Sequence, residues 1–231
     1  MILNFLGCGC AYRPDLGNTS AWFAADKHLF LLDCGENIFT CLQQKQLLKK
    51  YDDITVIVTH CHSDHAGSLS TLISYTHYVE KKPITVYFPD EDIPVLMTHC
   101  GIAPGECQFL QGDKVTLAAN VTCTAFPVEH HTGLHCYGYC LTCGTKSFYY
   151  SGDARRLPAD ILDAFLHGRI DELYQDTTFL QDQGTSHGSL SYLCNVIPRP
   201  LRGHVYPMHF SDDLFIEMRL HGFGICMAQK L

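Results

Sequence analysis

The chain has 231 residues, 46% of them apolar and 17% charged, which is too hydrophobic for disorder and too short for more than one or two domains. Sixteen Lys and Arg against twenty-four Asp and Glu leave a formal charge of −8, so no general field attracts polyanions and a protein that simply coats nucleic acid is excluded. Met1 to Leu6 lacks the basic flank and long apolar stretch of a signal peptide, and runs such as Ile54 to Val58 fall far short of the roughly 18 residues that span a bilayer. The thirteen cysteines therefore read as reduced thiols of a cytoplasmic protein with no membrane helix.

Ile2 to Leu6, Ser20 to Ala25 and Leu29 to Asp33 read as short strands of a β-meander, with a glycine-rich turn at Gly7-Cys8-Gly9-Cys10 and a second turn at Asp26-Lys27. Asn37 to Lys50 sets Ile38, Cys41, Leu42, Leu47 and Leu48 among Lys and Gln, the pattern of an amphipathic surface helix. Ile54 to Val58 is continuously apolar or β-branched, as in a strand buried on both faces. It ends in the polar Thr59 to His65, after which Leu69, Leu72, Ile73, Thr76 and Val79 recur at helical spacing. Ile84 to Phe88 is a further strand, and Asp92 to Cys100 a short helix stopped by Gly101.

The second half repeats the style. Strands are predicted near Lys114 to Leu117, Val121 to Pro127, Tyr137 to Thr142 and Ser147 to Tyr150. A helix from Pro158 to Leu166, a strand at Glu172 to Tyr174, a helix from Ser189 to Ile197 and a last strand at His204 to Met208 follow. No linker, charge block or low-complexity segment divides the chain, so residues 1–231 are expected to form one domain of two packed sheets with helices outside.

His60-x-His62-x-Asp64-His65 is the sharpest chemical signal. Three imidazoles and a carboxylate just past a buried strand need partners that packing does not provide. Residues 60 and 62 share one side of an extended segment, while 64 and 65 sit at a helix entrance and can point elsewhere, so the motif can serve two neighbouring metals. Further candidates each follow a strand: His130 and His131, Asp153 in Ser151-Gly152-Asp153, and His209. Neutral imidazoles with carboxylates suit zinc first, with manganese or iron as alternatives. An Asp shared between two such cations would hold a water acidified to near neutral pH.

With these residues the chain resembles the metallo-β-lactamase superfamily, whose mark is a His-x-His-x-Asp-His loop after a buried strand, and within it the compact ribonuclease Z-like phosphodiesterases. Further matching segments are Phe5-Leu6-Gly7-x-Gly9, Leu31-Leu32-Asp33-Cys34-Gly35-Glu36, Phe126-Pro127-Val128-Glu129-His130, Tyr137-Gly138-Tyr139, Tyr150-Ser151-Gly152-Asp153, Asp176-Thr177-Thr178-Phe179, Ser186-His187-Gly188-Ser189 and His209-Phe210-Ser211. The resemblance implies an α+β fold, a four-layer αββα sandwich of two mixed sheets with helices on the outer faces. It implies that His60, His62 and His130 hold one divalent metal, that Asp64, His65 and His209 hold the other, and that Asp153 bridges them. Asp64 then also belongs to the catalytic set, with His187 protonating the leaving oxygen and Asp176 orienting it.

Asp176 stands where the family usually carries glutamate, so the orienting contact is a methylene shorter, and Ala66-Gly67-Ser68 stands where two glycines are common. The tRNA-processing members carry an extra arm, for which this length leaves no evident insertion. The expected function is therefore a dinuclear metal-dependent hydrolase of a small or cyclic phosphodiester, such as a cyclic nucleotide or cyclic sugar phosphate. The alternatives are a ribonuclease Z-like RNA endonuclease, a thioester or lactone hydrolase of the glyoxalase II type, and a non-enzymatic metal binder. A homodimer is possible, as among relatives.

Other residues carry weaker readings. His130 is preferred over His131 as ligand because it directly follows Pro-Val-Glu, as in the motif that the chain resembles. His135 reads as a loop histidine, Cys140-x-x-Cys143 as packing rather than a zinc or redox pair, and Cys8-x-Cys10 as two thiols that cannot fill a tetrahedral shell alone. Gly7-Cys8-Gly9 lacks the third glycine and opening helix of a dinucleotide fingerprint. Arg155 and Arg156 could steer a phosphate, and Tyr12, Tyr137 and Tyr139 could stack on a base.

Overall fold

The computed structural model describes residues 1–184 and 186–228. Its first sheet comprises β1 (Asn4–Gly7), β2 (Ser20–Ala25), β3 (His28–Leu32), β4 (Asp53–Ile57), β5 (Ile84–Tyr87) and β6 (Gln108–Leu110), side by side in chain order. The expected meander is present, since β1, β2 and β3 pair antiparallel, whereas β3 to β6 pair parallel. The second sheet comprises β7 (Lys114–Ala118), β8 (Val121–Pro127), β9 (Tyr137–Cys143), β10 (Lys146–Tyr150), β11 (Glu172–Asp176) and β12 (Val205–Met208), again in chain order. Here β7 to β10 are antiparallel and β10 to β12 parallel, so both sheets are mixed.

The period of two along a strand assigns each residue to a layer. On β3, Phe30 and Leu32 join Phe5, Phe23, Ile57, Tyr139, Leu141, Phe148 and Tyr174 in the core shared by both sheets. Leu29 and Leu31 point the other way and pack with Ile54, Val56, Val58, Ile84 and Val86. That outer face is covered by Ile38 and Leu42 of α1 (Ile38–Gln44), Leu72 and Ile73 of α4 (Leu69–Tyr75) and Ile93 and Met97 of α5 (Asp92–His99). Ile161 and Phe165 of α6 (Ala159–Leu166) and Leu190 and Leu193 of α7 (Leu190–Val196) are buried in the same way beside the second sheet. The result is the αββα sandwich that the sequence implied.

The elements differ from the sequence reading where they are short or kinked. The single helix expected over 37–50 breaks at Gln46, whose φ is 53, into α1 and α2 (Leu47–Lys50). The helix expected to Val79 leaves α-geometry after α4 and finishes as a π-helical turn, Thr76–Glu80. The polar stretch after β4 contains a one-turn helix, α3 (Ser63–Ala66). β6 has three residues, too few for a pattern, and α8 (Phe215–His221) escaped notice because Ile216 and Leu220 face outward, 72% and 65% exposed. Among the described residues no helix is long and apolar enough to cross a membrane.

The parallel strands of both sheets end on the same side, where the sheets are laced together. The Tyr139 hydroxyl donates to Val58 O at 2.6 Å, and Tyr137 N donates to Thr59 O at 3.0 Å. The loops that follow β3, β4, β10, β11 and β12 all meet there.

Candidate metal centre

Thr59, just past β4, fixes the chain before the motif begins. Its N–H donates to Asp33 Oδ1 at 2.7 Å and its hydroxyl to Asp33 Oδ2 at 3.0 Å. Asp33 follows β3 with a φ of 62 and is wholly buried. His65 donates from Nδ1 to the same Oδ2 at 2.9 Å, which turns its Nε2 toward the cleft. The close approach of the two loops needs Gly35, where an added Cβ would sit 2.0 Å from Asp64 O.

Three metal-capable groups share Asp153, the third being Asp153, Asp176, His187 and His209, and the expected ligands make up the other two. His60 Nε2 and His130 Nε2 lie 2.9 and 3.2 Å from His62 Nδ1, and 3.8 and 3.5 Å from Asp153 Oδ2. On the other side, Asp153 Oδ1 lies 3.1 Å from His65 Nε2 and 3.3 Å from His209 Nε2. Asp64 Oδ2 is 3.4 Å from each of those nitrogens. In both groups, one potential ligand atom per residue falls within 4.8 Å of every other.

The donor set suits divalent cations. His65 Nε2 and Asp153 Oδ1 are buried 3.1 Å apart, and neither makes a hydrogen bond of good geometry, so both face a space that a cation would fill. Burial lowers the pKa of His62 and, joined by the charge of His65, drives that of His60 far down. Burial likewise brings His130 down to about 4, so these three rings are neutral donors at physiological pH. Burial opposes ionisation of Asp64, but hydrogen bonds from His209 and His65 outweigh it and hold the carboxyl below its usual range. The charges of His209 and His65 do the same for Asp153. His65 moves the opposite way: burial disfavours its cation, but Asp153 and Asp33 raise its pKa well above the usual value. A cation entering beside His65 must therefore displace a proton.

Asp176, at the end of β11, and His187 meet beside this cluster. His187 Nδ1 lies 2.9 Å from Asp176 Oδ2, and its ring stacks on His209 at a centroid distance of 5.1 Å. Asp176 also accepts from Ala154 N, Thr178 N and the Thr178 hydroxyl at 3.1, 3.2 and 2.7 Å, so its lone pairs are occupied and it orients rather than ligates. Burial disfavours the His187 cation, but the hydrogen bond and charge of Asp176 prevail and raise its pKa to about 9. The shorter acid reaches because Gly188 brings its loop against β11; a Cβ there would meet Asp176 O at 2.0 Å.

All seven expected ligand positions are thus brought together, with Asp176 and His187 adjoining them. His130 enters the cluster, whereas His131 is exposed and accepts Gly133 N at 3.1 Å. His135 lies elsewhere, within 3.0 and 3.2 Å of Asp90 and Asp92. Among the described residues no cysteine joins a metal-capable cluster, Cys8, Cys10, Cys140 and Cys143 included. Asp33, Thr59 and Thr178 are positioning residues that the sequence reading assigned no role. Thr178 holds both Asp176 and His209, its hydroxyl lying 3.1 Å from His209 Nδ1. Their one signal was position, since each stands at a strand end beside a candidate ligand or its neighbour. The cleft over the cluster encloses about 330 Å³ and is lined also by Cys10, Ala11, Tyr12, Ser63, Phe179 and Ser211.

Residues 28–210 match the family described as "Beta-lactamase superfamily domain". The chain belongs to this superfamily. Among curated relatives, the anti-Pycsar protein Apyc1 of Saccharibacillus brassicae is 24% identical over 226 residues, covering 92% of this chain and 91% of its own. The ribonuclease Z of Methanococcus maripaludis is 31% identical over 150 residues, covering 56% of this chain and 46% of that protein. Among solved structures, the metallo-β-lactamase fold protein YhfI of Bacillus subtilis superposes with a TM-score of 0.76 at 18% identity, covering 99% of this chain and 95% of its own. That likeness shows the fold alone. Membership of the superfamily makes this protein one of its hydrolases of the metallo-β-lactamase type.

Proposed function

We propose that the whole chain acts as one phosphodiesterase domain, holding two divalent cations and hydrolysing a small or cyclic phosphodiester. His60, His62 and His130 would hold one cation, Asp64, His65 and His209 the other, and Asp153 would contribute an oxygen to each. Bound there, divalent cations supply Lewis acidity, which acidifies a water and neutralises charge that gathers on phosphoryl oxygens. Zinc suits the nitrogen-rich donor set first, with manganese and iron as alternatives.

The observation that carries the reading is the Asp176–His187 pair. An alkoxide leaving phosphorus needs a proton, and His187 holds one at neutral pH beside the cluster, in an orientation that Asp176 fixes. Thioester cleavage expels a thiolate, a weaker base than an alkoxide, and has less need of such an acid. The name of the ribonuclease Z relative also points to phosphodiester cleavage. RNA processing is the second reading on that ground, but the −8 charge and the small cleft favour a compact substrate.

Metal analysis of the purified protein, coupled to a screen of linear and cyclic phosphodiesters, thioesters and lactones, tests this. About two equivalents of zinc, manganese or iron and turnover confined to phosphodiesters are expected, with His62→Ala and Asp153→Ala inactive yet folded. Turnover of thioesters or lactones alone would overturn it.

A further inference from the structure

Five side chains in the sequence suggested contact with a substrate's phosphate or base, and the structure accounts for all but one. Arg155 reaches both oxygens of Asp182 at 3.1 Å, and Arg156 reaches one at 3.3 Å. Tyr137 donates to Asp90 Oδ2 at 3.0 Å with its ring edge-on to Phe88, and Tyr139 is wholly buried. Tyr12 remains. It lines the cleft over the histidine and aspartate cluster, and at 90% exposure it is the most exposed large apolar side chain among the described residues.

A single exposed aromatic ring on a loose loop would need no explanation. The Tyr12 turn is not loose. Arg13 N donates to Cys10 O at 3.1 Å, Cys10 N to Phe210 O at 3.0 Å, and Phe210 N to Cys8 O at 2.9 Å. The Arg13 guanidinium donates to Ser211 O at 2.7 Å and grips both oxygens of Asp15 at 2.9 and 2.7 Å. The turn is thereby fastened to the segment that carries His209, so the backbone of Tyr12 stands at a fixed place relative to the cluster while the ring's faces stay open to water. A flat ring on a preplaced backbone beside a polar centre is what a nucleobase one sugar away from the phosphorus requires, and ordering it costs little because only two side-chain torsions are involved.

We propose that Tyr12 is the base-stacking platform of the cleft and that the substrate is a nucleotide, a cyclic mononucleotide rather than a base-free sugar phosphate. The inference rests on the phosphodiesterase reading for its reaction, but the recognition of a base is a separate matter. Stacking acts equally on bound substrate and transition state, so Tyr12 governs KM and leaves kcat in place. Because every base has a π-face, the preference among bases is weak.

Two measurements test it. In the first, wild type, Tyr12→Ala and Tyr12→Trp are assayed on uridine and adenosine 3′,5′-cyclic phosphates and on methyl riboside 3′,5′-cyclic phosphate, which has no base. Tyr12→Ala is expected to raise KM for both nucleotides by roughly five- to a hundredfold, with a far smaller effect on the base-free ester, and Tyr12→Trp to restore the preference. In the second, calorimetry of zinc-loaded protein compares uridine monophosphate with ribose 5-phosphate. Wild type is expected to prefer the nucleotide, and Tyr12→Ala to lose that preference. Equal KM shifts on all three esters, or equal binding of both monophosphates by wild type, would overturn the inference and leave the phosphodiesterase intact. Preferential nucleotide binding without turnover of any phosphodiester would do the reverse.

Discussion

His187 stands beside a buried aspartate and faces an open cleft, with a pKa raised to about 9. Because the shift is upward, the ring keeps its proton through neutral pH and loses it as pH climbs through about 9. Cleavage of esters with alkyl leaving groups should therefore decline across that window, while p-nitrophenyl esters, whose phenolate leaves unaided, should not follow it. His187→Ala is expected to slow the alkyl esters by about 10² to 10⁴ and the nitrophenyl esters far less; equal losses would remove the acid role. At this scale the sequence was legible where chemistry is costly to misplace. Histidines and aspartates at strand ends marked the candidates, and the resemblance to the metallo-β-lactamase superfamily then chose His130 over His131 and implied the seven. Asp33 and Thr178 could not be named in advance, because an Asp or Thr at a strand end is ordinary and their work is done through hydrogen bonds to residues distant in the chain.

Among the elements, the loops at the strand ends carry the strain and the close contacts. Asp33 after β3 and His209 after β12 both adopt left-handed backbone, with φ of 62 and 64, at about 1 to 2 kcal/mol each for a side-chain-bearing residue. Their hydrogen bonds within the cluster hold them there. Gly188 is the counterpart in which a side chain is forbidden. Gly188→Ala should push residues 186–189 off β11 and carry His187 from Asp176, giving the leaving-group-selective loss of His187→Ala without loss of bound metal. Kinetics on both ester types alongside metal analysis checks this, and an unselective loss would confine Gly188 to folding. Long apolar runs such as Ile54 to Val58 made their strands plain. The break at Gln46, the π-helical turn and the three-residue β6 left no period to read, since they depend on how neighbouring layers pack.

Across the whole molecule, the cluster draws residues from both sheets, so a cation that binds it binds the native arrangement and not the unfolded chain. Saturating zinc at 100 times its dissociation constant adds about 2.7 kcal/mol, or roughly 5 to 10 °C in Tm for a chain of this size. Chelation should reverse that rise in a thermal melt, and an unchanged Tm would indicate that the cluster binds no ion in the native state. The sandwich itself was legible because strands and helices alternate in two similar halves, whereas the order of strands within each sheet was not.

That order has a further consequence. Each sheet is drawn from one unbroken stretch of chain, β1 to β6 and then β7 to β12, so a cut in the turn between Leu110 and Lys114 would sever no ladder of paired strands. It would instead divide the cluster, leaving His60, His62, Asp64 and His65 on one fragment and His130, Asp153 and His209 on the other. On the proposed ligation neither piece alone would complete either cation site. Mixed together, they would be soldered by ions held as proposed, and their reassembly would then rise and fall with the supply of metal.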